Sequence, residues 1–326
     1  MRHTRRRHLT LVGAALAAPA LLRSAHAQAW PAKSIRVIMP FSAGSTGDIV
    51  ARIVCDPLSQ LIGQPVVVEN RVGAGGTIGA GMVARADPDG YTLLVNSSAH
   101  AAAPAIFANV PYDTARDFAA VAALGSSPNV TVVAPDKGIK TLQGLVAAAK
   151  VKPGGLSFAT AGVGSATHFS TERFRLSAGF EALHVPFRGM PEALTEVMTG
   201  RVDFSCSSIS AALPFIQDGK LLALAVTTPQ RSSALPNVPT SLELGYANSD
   251  YTFWTGMFAP AKTPRDLIEK LHAEVQKAIA MPGVKEKLAV QGDDPMPVGA
   301  AAFDAQVKAE VESNIALAKA AGIKAN

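Results

Sequence analysis

Two stretches of the 326-residue chain set glycine, hydroxyl and polar N3 residues at the spacing of a capped helix start. Gly44-Ser-Thr-Gly-Asp48 reads as a capping box: Ser45 caps a helix and Asp48 reaches back from the third position. Thr160-Ala-Gly-Val-Gly-Ser-Ala-Thr-His168 follows an apolar segment and opens a second helix, with Ser165 and Thr167 able to donate hydroxyls. Exposed N–H groups at such starts hold anions, so the chemistry predicted is capture of a negatively charged group. Asp48 would repel that group and is assigned to holding its loop. Further hydroxyls come from Asp203-Phe-Ser-Cys-Ser-Ser208.

Other chemistries fit less well. No G-x-S-x-G elbow surrounds a serine, and His168 has no identifiable acid partner, so it is expected to pack or to fix its loop. Gly73-Ala-Gly-Gly-Thr-Ile-Gly79 departs from the dinucleotide fingerprint, because Ile78 stands where a glycine is required. Cys55 and Cys206 lack the Cys/His spacing of a metal site and are expected to stay unlinked. Neither a metal nor a cofactor is predicted.

These groups must be positioned by alternating strands and helices, the pattern of an α/β architecture with mostly parallel sheets. Strands are predicted at 35–39, 66–69, 91–96, 130–133, 156–160, 181–185, 202–205 and 221–227. Helices are predicted from Thr141 to Lys150, Ser165 to Ser177, Pro191 to Gly200, Pro264 to Ala280 and Ala301 to Ala321, while Pro57 should kink or shorten the helix that Ser45 starts. Gly125-Ser-Ser-Pro-Asn129 and Thr227-Thr-Pro229 look like crossings between two lobes. The division expected is 28–126 with 229–326 as one lobe and 127–228 as the other. No internal repeat is visible after residue 27.

Residues 1–27 carry five arginines, an apolar run from Leu9 to Leu22 and the small-x-small end Ala25-His26-Ala27, which fits a secretory signal cleaved before Gln28. Thr4-Arg-Arg-Arg-His-Leu9 resembles a twin-arginine motif, and its arginines also suit an ordinary Sec leader. With no acid among them, these arginines account for the whole formal charge of +5. The rest is neutral, so nucleic acid is not an expected partner. The expected location is the periplasm.

Many segments together resemble a known family. Trp30-Pro-x-Lys33, Pro40-Phe41 with Gly44 and Asp48, Ala51-Arg52, Val68-Glu-Asn-Arg71, Gly73-Ala-Gly-Gly76 and Pro88-Asp-Gly-Tyr-Thr-Leu93 are similar to the Bug-type periplasmic receptors of tripartite tricarboxylate transporters. The likeness continues through His168, Val185-Pro-Phe-Arg-Gly189, Gly200-Arg-Val-Asp203, Gly219-Lys-Leu221, Leu224-Ala-Val-Thr227, Pro236-Asn-Val-Pro-Thr240 and Trp254. It implies a two-lobed type II periplasmic binding fold, a non-enzymatic monomer that passes a small carboxylate to a two-component membrane permease.

Carried over residue by residue, the resemblance implies ligand contacts from Phe41, Ser42, Ala43, Gly44, Ser45 and Thr46. The facing contacts are Thr160, Gly164, Ser165, Ala166 and Thr167, with Ser97, Ser98, Ser207 and Ser208 as further candidates. Asp48, His168 and Asp203 would support the loops, and Arg188 could meet a second carboxylate at the distal end of the ligand. The family usually has two glycines where this chain has Gly44-Ser45. Two alternatives are a sensor presenting the same clamp to a membrane partner and a secreted serine hydrolase using Ser165 and His168.

Overall fold

The computed structural model describes residues 30–323; the expected leader and its cleavage point lie outside the described residues. The first part of the chain forms β1 (Ile35–Met39), α1 (Thr46–Ile62), β2 (Val66–Asn70), α2 (Thr77–Ala84), β3 (Thr92–Ser97) and α3 (Ala99–Ile106). The long strand β4 (Phe118–Val133) leads into α4 (Leu142–Val151), β5 (Ser157–Thr160), α5 (Ala166–Ala178) and β6 (Leu183–Pro186). There follow α6 (Met190–Met198), β7 (Phe204–Ser208), α7 (Ile209–Gln217) and β8 (Leu222–Val226). The chain ends with β9 (Thr252–Pro260), α8 (Arg265–Ala280), α9 (Pro282–Val290) and α10 (Ala300–Ala321).

The strands order as β2-β1-β3-β9-β4-β7-β5-β6, with β8 also paired to β4. The two lobes share β4: residues 118–128 pair antiparallel with β9, and residues 129–133 pair with β7 and β8. Among the named strands of the described residues, parallel pairing joins β1 with β2 and β3, and β5 with β6 and β7. The sheet is therefore mixed rather than mostly parallel, because β4, β8 and β9 run against their neighbours.

Each half has its own apolar core. Val37, Val54, Leu93, Met257 and Leu271 meet in the first, with Ile38, Trp254, Phe258 and Phe303 on the other face of the same strands. Phe158, Phe174 and Phe204 centre the second, with Val130, Leu194 and Ile209 across its sheet. The stretch 229–250, expected with the first lobe, instead lies on the second: Val226 donates to Pro239 O at 2.9 Å, and Ser241 donates to Val226 O at 2.9 Å. Cys55 and Cys206 are buried in different cores and are not bonded to each other.

Local sequence explains the helices that carry the candidate loops. Ser45 accepts from the Asp48 amide, Val50, Ala51, Val54, Cys55 and Leu58 form the buried stripe, and Gly63 closes α1 in the left-handed region. The helix is not shortened by Pro57 but runs on to Ile62. In α5, Ser165 is the cap and the buried residues surround the helix, including Phe169, Thr171, Glu172 and Phe174. Burial on two sides follows from its position: Phe174 faces the second core, whereas Phe169 packs with Ala102 of α3 and Leu317 and Ala318 of α10. Arg173 adds a hydrogen bond across the same junction, to Ser313 Oγ of α10 at 2.8 Å, and another to Asp250 O at 3.3 Å.

Candidate functional site

The turns into α1 and α5 have the same construction. At the first, the Gly44 amide donates to Asp48 Oδ2 at 2.9 Å, the Asp48 amide donates to Ser45 Oγ at 3.4 Å, and the Ser45 amide donates to Ser42 O at 3.2 Å. At the second, the Gly164 amide donates to His168 Nδ1 at 3.1 Å, the His168 amide donates to Ser165 Oγ at 3.2 Å, and the Ser165 amide donates to Gly162 O at 3.2 Å. The capping serines share one backbone conformation, φ −68° and ψ 156° at Ser45 against φ −69° and ψ 161° at Ser165. The capping box expected from sequence differs in one bond: Asp48 reaches Gly44 N–H, one residue before the cap.

The two anchors have different charge. Burial would raise the Asp48 pKa, but hydrogen bonds from Arg52, the Gly44 amide and Asn70 outweigh it and hold the carboxyl below its ordinary value. His168 is pushed down to about 3 by burial, with His184 and Arg175 adding to the shift. It stacks on His184 with ring centroids 3.9 Å apart, and burial lowers His184 to about 4. Both imidazoles are neutral near pH 7. With Nδ1 accepting from Gly164, the His168 proton belongs on Nε2, which lies 4.0 Å from Glu172 Oε1.

The hydroxyls predicted as donors are largely committed within the loops. Ser165 Oγ donates to Gly162 O at 2.7 Å, and Thr167 Oγ1 accepts from the Ala161 amide at 3.0 Å. Thr160 is fully buried with its hydroxyl 2.7 Å from His184 Nε2. Ser98 is likewise buried and accepts from Tyr251 Oη at 3.2 Å; Ser97 Oγ accepts from the Ala99 amide at 3.4 Å, and Ser207 Oγ donates to Ser208 O at 3.0 Å. Ser208 caps α7 by position only.

Backbone groups supply what the hydroxyls do not. Among the described residues, no protein acceptor takes the amides of Thr46 and Gly47 at the start of α1, or of Ala166 and Thr167 at the start of α5. Each helix start acts as roughly half a positive charge, so the pair matches about one anionic group. Ser42, Ala43 and Gly44 form an exposed rim, and Phe41 is half-buried beneath them.

Of the remaining predicted residues, Asp203 stands apart and Arg188 flanks the second turn. Asp203 lies at the N-terminal ends of β5 and β7, the opposite end of the strands from Thr160, where it holds Lys137 Nζ at 2.7 Å and the Ser157 amide at 2.8 Å. It therefore cannot brace the Gly162–Ser165 turn. Arg188 is exposed beside the second turn, since the adjoining Phe187 amide donates to Thr160 O at 3.0 Å; the Arg188 amide donates to Glu192 Oε2 at 3.4 Å.

Between the loops, Phe41 is a predicted contact, whereas sequence reasoning missed Ile106 and Phe107. The Phe41 ring rests on Gly76, where a Cβ would stand 3.2 Å from Cζ. The Phe107 ring covers Gly75, where a Cβ would come within 2.3 Å of Cζ, and Ile106 Cδ1 would lie 2.7 Å from a Cβ on Gly164. The glycine cluster at 73–76 thus admits two aromatic rings to its backbone. Spacing alone could show the glycines but not the rings, which come from distant segments.

Cavities of about 930 Å³ between Arg116, His272 and Lys308, and of about 880 Å³ between Gln230, Arg231 and Met296, lie away from both turns. The unpaired amides make the turns the stronger candidate, since neither cavity carries a comparable matched set of donors. Among the described residues no group of three or more His, Cys, Asp or Glu side chains could hold a metal ion, and no helix is long and apolar enough to cross a membrane.

Residues 50–323 match the profile of the tripartite tricarboxylate transporter family receptors. The chain is 35% identical over 292 residues to protein BugT of Bordetella pertussis, covering 89% of this chain and 90% of that one. Among solved structures, the R. palustris protein Rpa4515 with adipate is 30% identical, with a TM-score of 0.75 and coverage of 90% of this chain and 99% of the other. MatC from Rhodopseudomonas palustris with bound malate is 31% identical, with a TM-score of 0.73 and coverage of 88% and 99%.

Proposed function

The chain belongs to the tripartite tricarboxylate transporter receptors, and from that membership we propose that it captures a small carboxylate between the turns at Gly44–Gly47 and Gly164–Thr167. The observation that carries this reading is the duplicated cap, which leaves two adjacent amides unpaired at each helix start. The carboxylate found in two relatives, adipate in one and malate in the other, supports the ligand class. The protein works as a periplasmic receptor without turnover and hands its ligand to a two-subunit membrane permease.

Closing and opening would pivot where β4 and β9 pass between the halves, at Ser126–Asn129 and Thr252–Thr255. Isothermal titration calorimetry over mono-, di- and tricarboxylates tests the proposal. Saturable 1:1 binding of a carboxylate, weakened by Thr46→Pro or Ala166→Pro with the fold retained, is the expected result. Each of these substitutions removes one of the four amides at a first helical position that tolerates proline. Absence of binding across the set, or full affinity in both variants, would overturn it.

A further inference from the structure

We infer that this receptor takes a monocarboxylate with a compact apolar body, such as an aromatic acid, in preference to a multiply charged acid. The inference rests on the carboxylate site proposed above and specifies what fills the rest of it. The first ground is charge. The turns 41–48 and 160–168 contain no Lys or Arg, and both nearby imidazoles are neutral. Arg52 is committed to Asp48 at 3.0 Å and Asn70 at 2.9 Å, and Arg175 to Glu172 at 2.6 Å. The two helix starts match one carboxylate; Arg188 beside the second turn is exposed to solvent, so a second or third carboxylate would be desolvated mostly against neutral groups.

The second ground is the surface between the turns. Phe41 lies on Gly76, Phe107 on neighbouring Gly75, and Ile106 against Gly164, so an apolar wall runs from the first turn to the second. All three side chains are half-buried rather than sealed in a core. Val163, at the tip of the second turn and between the two glycines, keeps 44% of its surface exposed. A wall of aromatic and branched side chains beside a one-charge anion site fits a flat or branched hydrocarbon body. Citrate-like acids would leave carboxylates facing it.

The probes are benzoate, adipate and citrate, titrated calorimetrically into the purified protein and into Phe107→Ala, Val163→Ser and Arg188→Ala variants whose folding is checked by thermal unfolding. Benzoate is expected to bind at least tenfold more tightly than citrate. Phe107→Ala and Val163→Ser should each weaken benzoate severalfold to tenfold, while Arg188→Ala leaves it unchanged. If adipate or citrate binds more tightly than benzoate, the carboxylate site stands and the apolar-body inference falls. Unchanged benzoate affinity in both folded wall variants would also overturn it. If none of the three acids binds, the carboxylate site itself is wrong, and the inference goes with it.

Discussion

His168 occupies at the start of α5 the position that Asp48 occupies at the start of α1: each accepts the amide of a glycine four residues earlier, at 3.1 Å and 2.9 Å. One anchor is an ionised carboxylate matched by Arg52, and the other is a neutral ring stacked on His184. The same backbone turn is thus built twice with different electrostatics.

Exchanging the second anchor for the first should fail. His168→Asp restores an acceptor but buries a charge near Glu172 with Arg175 already committed to that acid. The expected cost is about 1–3 kcal/mol of stability together with weaker carboxylate binding, read by urea denaturation and calorimetry. Stability and affinity equal to the parent protein would show that the charge of the anchor is immaterial.

Ser165→Ala should cost about 1 kcal/mol and lower carboxylate affinity, because it removes the acceptor for the His168 amide and the donor to Gly162 O. Ser165→Asn, another capping residue, should recover most of the stability. If the alanine and asparagine variants unfold alike, the cap is not what Ser165 contributes.

The caps were legible from sequence because their bonds span three or four residues. The missing parts depend on distant chain. The first half of β4 carries alanines and a glycine whose local strand preference is weak, whereas β9, rich in Thr, Phe and Trp, has a strand preference that the sequence reading missed. Their pairing is fixed by tertiary fit, as at Gly256, where a Cβ would stand 2.5 Å from the Phe303 ring. Likewise, hydroxyls at Ser98 and Thr160 look available in sequence, yet Tyr251 and His184 fold back onto them. Asp203 is expected to support a ligand loop, yet the parallel register of β5 and β7, which sequence order does not show, sets it at the opposite strand end.

Gly75→Ala should destabilise by about 2 kcal/mol or more, since the residue has φ +62° and a Cβ would collide with Phe107. Adding Phe107→Leu should recover part of the loss by shortening the ring. Equal thermal midpoints for the parent and Gly75→Ala proteins would contradict the close approach.

Titration provides a separate handle at Asp293, which is buried with both carboxylate oxygens unpartnered among the described residues and is pushed up to about 7 by burial and Asp294. A raised pKa stabilises the fold fully below the unfolded value near 4, and that contribution is lost as pH rises through about 7. His168 acts oppositely: its contribution is present above about 6.5 and is lost as pH falls toward 3. Asp293→Asn should therefore gain stability relative to the parent as pH rises from 5 to 8. Denaturation curves giving the same difference at every pH would refute this assignment.

Arg173→Ala should loosen the contact between α5 and α10, because it deletes the bond to Ser313 Oγ. Small-angle scattering of the variant without ligand should show a larger radius of gyration than the parent. Identical curves would mean that the apolar contacts of Phe169 suffice to hold the junction.

The shared strand β4 has a consequence for the order of events after synthesis. In the first lobe, β1, β2 and β3 can pair with one another, but the other edge of β3 lacks its antiparallel neighbour until residues 252–260 have emerged. The second lobe closes earlier, since β4 to β8 lie within residues 118–226. The inserted half can thus assemble first, from contacts of shorter sequence separation, while the flanking halves must wait and pay the larger loop-closure entropy. A nascent chain stopped before β9 holds a finished second lobe beside an open edge at β3, which is the surface a holdase would have to cover.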